Sequence, residues 1–286
     1  MNLQGRSIVI TGASQGLGKA MAQACVREGA HVLLCARDGG LLAFTREELS
    51  AQASSGQLVL AHAADVSRPE DVARLIESAV ACLPSLDGLV NNAGVYGPIG
   101  PSEEVDWNEW RQAIEINLMG TVLLCRAAVP VFRRNGGGKI VNLSGGGATA
   151  PLPRFSAYAA SKAAVVRFTE TLAEETRGAR IDVNSIAPGP LNTRLLDEVL
   201  AAGPERAGEA FYRRSVKQRD EGGASLDKAA ELCVFLLSSR SDGITGKLIS
   251  AIWDPWADLP QHLDQLNATD VYTLRRIVSK DRGFDW

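Results

Sequence analysis

The 286-residue sequence has no cysteines at metal-ligand spacing, no marked excess of either charge and no apolar run approaching membrane-spanning length. The five cysteines, Cys25, Cys35, Cys82, Cys125 and Cys233, are odd in number. They do not make a disulfide framework or a zinc site. They suit a reducing compartment, where thiols pack as small hydrophobes. Lysine and arginine total 30 against 33 acids, a net charge of -3. That balance offers no electrostatic case for nucleic acid or an anionic membrane. Residues Met1–Arg6 lead directly into an apolar strand, without the long apolar region of a signal peptide. The expected location is the cytoplasm. Internal repeats, low-complexity tracts and linkers are also absent. At 45% hydrophobic residues the chain can bury a large core and reads as one folded domain.

Short apolar runs alternate with longer amphipathic segments. Strands are predicted at Ser7–Ile10, His31–Cys35, Gln57–His62, Leu86–Val90, Lys139–Leu143, Ile181–Ile186 and Lys247–Ala251. Helices are predicted at Leu17–Arg27, Leu41–Ala53, Pro69–Cys82, Asp106–Arg134, Ser156–Arg177 and Leu226–Ser238. Residues 191–224, with mixed charge and scattered glycines, read as irregular. The alternation implies an α/β fold: a doubly wound parallel sheet of Rossmann type in three αβα layers. It fills residues 1–250 and leaves 251–286 as a C-terminal extension.

The run Thr11-Gly12-Ala13-Ser14-Gln15-Gly16-Leu17-Gly18 follows the first strand and opens a helix. Glycines 12, 16 and 18 permit close approach to a pyrophosphate, and the helix N-terminus favours its charge. Gly12, Ser14, Gln15, Gly16, Leu17 and Gly18 are therefore candidate cofactor contacts. At the tip of the second strand, Ala36 stands where an acid would bind a ribose hydroxyl, and Arg37 follows. A guanidinium suits a 2′-phosphate, so NADP is favoured, with NAD the alternative. Asp38 beside it complicates this choice. Asp65 and Val66 end strand three and can hold the adenine. Asn91, Ala93 and Gly94, in Asn91-Asn92-Ala93-Gly94, end strand four and can line the cofactor. Tyr158 and Lys162 stand one helical turn apart and share a face. A dinucleotide loop with such a tyrosine–lysine pair can move a hydride and a proton together. No metal is expected.

Taken in order, Thr11-Gly12-x-x-x-Gly16-x-Gly18, Asp65, Asn91-Asn92-Ala93-Gly94, Asn117, Tyr158-x-x-x-Lys162 and Pro188-Gly189-x-x-x-Thr193 resemble the short-chain dehydrogenase/reductase family. The resemblance covers residues 5 to about 250. It implies a nicotinamide cofactor, a small-molecule alcohol or ketone substrate and a homotetramer or homodimer built on the two long helices. It implies that Tyr158 is the general acid/base, its pKa lowered by Lys162 together with the cationic nicotinamide of the oxidised cofactor; Lys162 would also bond the nicotinamide ribose. Asn117 would hold a water in a proton relay. Pro188 and Gly189 would close over the nicotinamide and Thr193 would bond its carboxamide. The implied reaction is NADP-preferring interconversion of a secondary alcohol and its ketone, with polyol or sugar-like substrates and small carbonyl compounds both open. Two other readings stand beside it: a cofactor-binding regulatory protein without catalysis, and an epimerase or dehydratase, whose usual second domain is not visible.

Two departures qualify the resemblance. The family's catalytic serine falls at Gly145, while Ser144 lies one residue earlier. Either Ser144 orients the substrate oxygen, or Thr149, Ser156 or a water does. The segment to Gly223 corresponds to the family's mobile substrate loop, and its six basic residues read as a solvated face. The extension carries Trp253, Trp256 and Trp286, three of five tryptophans. It is expected to pack on its own domain or across a subunit interface and to reinforce an oligomer. Trp253 or Trp256 could stack on a sugar ring, with core or interface packing preferred.

Overall fold

The first strand, β1 (Ser7–Thr11), is buried at every position, which only a sheet covered on both faces requires. The computed structural model describes residues 1–286. Its other strands are β2 (His31–Ala36), β3 (Val59–Ala63), β4 (Gly88–Asn91), β5 (Gly138–Leu143), β6 (Ile181–Ala187) and β7 (Leu248–Ser250). All pair in parallel, in the order β3-β2-β1-β4-β5-β6-β7. The chain reverses direction across the sheet between β1 and β4, and a crevice opens there at the strands' carboxyl ends.

One face of the sheet packs against α1 (Gly16–Arg27), α2 (Gly39–Ser50) and α9 (Leu226–Leu237), through residues such as Met21, Leu42 and Phe235. The other packs against α3 (Pro69–Cys82), α5 (Gly120–Asn135) and α6 (Ser156–Glu175), through Leu75, Phe132 and Leu172. The α/β doubly wound, three-layer expectation therefore holds.

Three differences from the sequence reading have physical causes. The predicted Asp106–Arg134 helix is α4 (Trp107–Ile114) running into α5 through a π-helical turn at Glu115–Met119 that contains Asn117. Such turns are frequent at functional sites. Residues 107–135 include a window long and apolar enough, by length and composition, to cross a bilayer, contrary to the expectation of none. In this fold Leu124, Ala128 and Phe132 of that helix are core residues. Residues 191–224 are not irregular but form α7 (Arg194–Ala207) and α8 (Glu209–Glu221). Gly203 (φ 76°) and Gly208 (φ 83°) adopt left-handed conformations that bend the chain between helical stretches; there the glycines end helices without abolishing them.

The extension lies on its own domain. Leu259 and Leu266 are buried in the core, with Trp256, Leu263 and Tyr272 packed on it. Backbone Leu248 donates to Tyr272 O (2.8 Å), and Lys247 Nζ to Thr269 O and Val271 O (3.2 and 3.0 Å). The tail thus covers the last strand's edge. Its remaining helix, α10 (Leu263–Ala268), is short. Ile277, Phe284 and Trp286 remain exposed.

Candidate active site

A cleft of about 1060 Å³ runs along the carboxyl ends of the strands. Its floor begins at the turn after β1. Gly12 has φ +62°, and a Cβ there would lie 2.9 Å from Ala93 Cα. A side chain is excluded by both conformation and space. Asn92 Nδ2 donates to Thr11 O and Gly12 O (3.0 and 3.1 Å), and Thr11 Oγ1 accepts from the amides of Asn92 and Ala93 (3.1 Å each). The loops after β1 and β4 are thereby stitched together. No side chain caps α1, so its first amides face the cleft region with their dipole unanswered. These features fit a dinucleotide: a cradle that a Cβ would fill, and a free helix N-terminus. Ser14, Gln15, Gly16, Leu17 and Gly18 all line the cleft.

Arg37 is exposed at the rim. Asp38, which complicated the cofactor choice, uses its carboxylate to cap α2, accepting from the Leu41 amide at 3.0 Å. Asp65 Oδ1 accepts from the Ser67 amide and hydroxyl (3.0 and 2.7 Å), holding the acid at the cleft wall beside Val66. Pro188, Gly189 and Thr193 form the opposite wall. Thr193 Cγ2 lies 3.6 Å from where a Gly16 Cβ would be, so the two walls approach each other there.

Asn91 is not brought to the cleft. Its Nδ2 donates to Asn142 Oδ1 (2.8 Å) and Cys125 Sγ (3.3 Å) on the α5 side of the sheet. Successive residues of a strand face opposite ways. The neighbour Asn92 therefore takes the cleft side with Ala93 and Gly94. Strand parity could have chosen between the two asparagines.

On α6, Tyr158 and Lys162 are both nearly inaccessible and both line the cleft. Lys162 Nζ sits 5.7 Å from the Tyr158 ring centroid and donates to Leu143 O (2.7 Å). Burial pulls the Lys162 pKa down to about 8. Burial, with Tyr96 nearby, pushes the Tyr158 phenol up. The expected lowering joined Lys162 to the cationic nicotinamide; in the protein alone, burial dominates the phenol. Desolvation disfavours both charged forms, and Lys162 spends a hydrogen bond on a backbone carbonyl.

Asn117 Oδ1 accepts from the Val95 amide (2.9 Å), while Nδ2 donates to Val95 O (2.8 Å) and Ser161 Oγ (3.0 Å). Ser161 Oγ in turn donates to Tyr158 O (2.8 Å). The side chain is a clamp joining the loop after β4 to α6. A Cβ on Gly94 would stand 3.2 Å from Asn117 Oδ1 and 3.6 Å from Lys162 Nζ.

Gly145 abuts the tyrosine: a Cβ there would overlap Tyr158 Oη and lie 2.9 Å from Cζ. Ser144 is buried at the cleft wall, and its hydroxyl has no hydrogen-bond partner. Thr149 also lines the cleft. Ser156 is not among the residues lining the cleft; its Oγ accepts from Trp110 Nε1 (3.1 Å). Beyond Tyr158 an aromatic cluster continues: Tyr96 meets Tyr158 edge-on at 4.7 Å and Phe155 at 5.1 Å, and Phe211 meets Phe155 at 4.9 Å. Thr11, Asn92, Ser161 and Tyr96 are the site residues that sequence reasoning did not assign, and Trp253, offered there only as a second choice to packing, lines the cleft.

Comparison with known proteins agrees with this geometry. The family model described as short chain dehydrogenase matches residues 6–202. The chain is 40% identical over 246 residues to the 3beta-hydroxysteroid dehydrogenase 1 of Eggerthella lenta, covering 86% of this chain and 91% of that one. It is 37% identical over 243 residues to the L-fucose dehydrogenase of Oryctolagus cuniculus, covering 85% and 82%. A short-chain type dehydrogenase/reductase from Mycobacterium ulcerans superposes with a TM-score of 0.78 at 28% identity, covering 87% and 89%.

Proposed function

The chain belongs to the short-chain dehydrogenase family and is an NAD(P)-dependent oxidoreductase, and we propose that it interconverts a secondary alcohol and its ketone with preference for NADP. One observation carries the proposal: Tyr158 and Lys162 meet where the glycine-loop cleft joins an aromatic pocket.

NADP, when bound, supplies the hydride acceptor for oxidation and the donor for reduction. The chain supplies the rest. The amides of the Gly12–Gly18 turn and α1 hold the pyrophosphate. Arg37, freed by Asp38's capping role, pairs with the 2′-phosphate. Asp65 and Val66 flank the adenine. Pro188, Gly189 and Thr193 hold the nicotinamide end.

At the reacting carbon, the alcohol gives up a hydride and its oxygen gives up a proton. Tyr158 Oη takes that proton, or returns it in reduction. A phenol pushed up by burial is a strong base once ionised, and a nearby positive charge makes ionisation accessible. Lys162 supplies such a charge below about pH 8. Asn117 and Ser161 position α6. Ser144, an unpartnered hydroxyl in the wall, is the candidate donor to the substrate oxygen in place of a residue-145 serine. The aromatic cluster beyond Tyr158 favours an apolar substrate over a polyol.

The test is a panel of alcohols and ketones assayed with NADP(H) and NAD(H) by reduced-nicotinamide absorbance, alongside Tyr158→Phe. Turnover should fall about 10²–10⁴-fold in the variant, with cofactor affinity kept. Near-normal turnover in Tyr158→Phe would remove the tyrosine from the mechanism. Gly145 favours a second reading, a regulatory cofactor-binding protein; binding without any turnover across the panel would establish it.

A further inference from the structure

Trp253 departs from the preference for core or interface packing. It is 73% exposed yet lines the mouth of the cleft. Trp256, three residues on, behaves as a packing residue: its ring meets Phe235 at 5.4 Å and its Nε1 donates to Ala251 O at 3.3 Å. The contrast is informative because an indole left in water at a cleft rim forgoes most of its burial energy.

The root of Trp253 is fixed. Ser250 Oγ accepts from the amides of Ile252 (3.3 Å) and Trp253 (3.2 Å). Asp254 Oδ2 accepts from the Ser250 amide (2.6 Å), and Ala251 N donates to Ala187 O (3.0 Å). Ile252 lies over Gly189, where a Cβ would meet it at 2.8 Å. The indole therefore projects from a pinned strand end, not from a loose tail.

The same cleft is lined by Tyr96, Leu152, Leu195, Val199 and Phe211. Charge at this end is compensated: Arg194 pairs with Glu198 at 3.0 Å. Gln218 Nε2 is already donated to Asn192 Oδ1 at 3.1 Å. A sugar would find few unengaged polar partners here. Apolar walls with an aromatic face at the rim match a flat hydrocarbon ring.

We propose that Trp253 is a substrate-stacking, specificity-determining residue, and that the site takes bulky apolar secondary alcohols or ketones with a fused-ring or aryl portion reaching from the reacting carbon to the cleft mouth. This rests on the alcohol–ketone reading above. The apolar body of such a substrate enters between the Phe211 side and the indole, while its oxygen reaches Tyr158. Stacking acts equally on ground state and transition state, so it governs KM more than kcat.

The experiment compares 1-(2-naphthyl)ethanol, 2-propanol and sorbitol as substrates of wild type, Trp253→Ala and Trp253→Phe, each with NADP. Wild type should prefer the naphthyl alcohol. Trp253→Ala should raise its KM about 10-fold or more while leaving its kcat and the 2-propanol constants within about 2-fold. Trp253→Phe should recover most of the loss, since a ring remains. In parallel, 2-acetonaphthone is titrated into NADP-loaded wild type and Trp253→Phe, reading tryptophan fluorescence. Quenching larger in wild type places the ligand on the indole without requiring turnover. Equal losses on both alcohols, no loss at all, a preference for sorbitol, or identical quenching would each overturn the assignment. Absence of turnover with every alcohol, alongside Trp253-dependent quenching, would instead overturn the oxidoreductive reading and leave the stacking site standing.

Discussion

Replacing Gly145 by serine should harm this enzyme, although it would install a hydroxyl next to the reacting tyrosine. The reason is space. A Cβ at position 145 would overlap Tyr158 Oη and sit 2.9 Å from Cζ and 3.2 Å from Cε1. Ordinary carbon contacts lie at about 3.5–4.0 Å, so the ring must retreat by about 1 Å. It has little room: Tyr158 is 7% exposed, with Tyr96 edge-on against it at 4.7 Å. A misplacement of about 1 Å at a reacting group costs on the order of 10²-fold in rate. Overpacking should also lower the free energy of unfolding by about 1–3 kcal/mol.

The assay is kcat and KM on one alcohol, an NADP titration and urea unfolding, for wild type, Gly145→Ser and Gly145→Ala. Both variants should lose about 10²-fold in kcat, with NADP affinity within about 2-fold of wild type, because the glycine loop is untouched. Alanine separates bulk from hydroxyl. If Gly145→Ser matches or exceeds wild type while alanine does not, the hydroxyl is the missing polariser and the spatial argument is wrong. If both retain full activity and stability, the loop opens freely and Tyr158 is not held as described.

Arg37→Ala should weaken NADP binding by about 1.5–3 kcal/mol and scarcely affect NAD, as titrations of both would read; equal losses would remove Arg37 from the 2′-phosphate. Lys162 has a folded pKa of about 8 against its ordinary 10.5, so the folded protein binds fewer protons than the unfolded chain between those values. Its contribution to stability therefore rises as pH rises from about 8 to 10.5, and Lys162→Met should remove about 3 kcal/mol of that rise, measured by urea unfolding across the range. Leu259→Ala should cost about 2–5 kcal/mol, because this tail residue lies in the main core. Truncation after Ser250 should lower the melting temperature, and light scattering would reveal whether it also dissolves an oligomer; an unchanged mass would confine the tail to its own subunit.

The sheet was legible because its central strands β1, β2, β4, β5 and β6 are largely buried and apolar. Boundaries moved by a residue or two, as at Val59–Ala63 for the predicted Gln57–His62. The segment 191–224 misled because its helices are polar and broken by glycines, leaving little periodic signal. In the site, Tyr158, Lys162 and the glycine turn could be read from spacing alone. Asn91 was misplaced because its neighbour is also an asparagine, and only strand parity separates them. Tyr96 could not be assigned, and Trp253 could not be told from Trp256, because what they line depends on which loops the sheet order brings together. The desolvation of the pair was hidden for a related reason: helical spacing puts a cation near Tyr158, but only the packed structure reveals how completely both groups are buried.

The misplaced asparagine also explains how the site keeps its geometry. Asn91 Nδ2 donates to Asn142 Oδ1, Asn142 Nδ2 to Thr169 Oγ1 (2.8 Å), and Ser185 Oγ to Thr169 Oγ1 (2.9 Å). These four residues come from β4, β5, α6 and β6, and all are buried. Thr169 is two turns beyond Lys162 on α6, so the two share a helical face. Sliding or rotating α6 would break a desolvated network whose members have no water to turn to, at roughly 1–3 kcal/mol for each stranded group. The clamp of Asn117 on Ser161 fixes the same helix nearer its start. Tyr158 and Lys162 are therefore held against the ends of β4 and β5 from two places. One of these is a polar network inside the core, where the hydrophobic pattern of the sequence gives no hint of it.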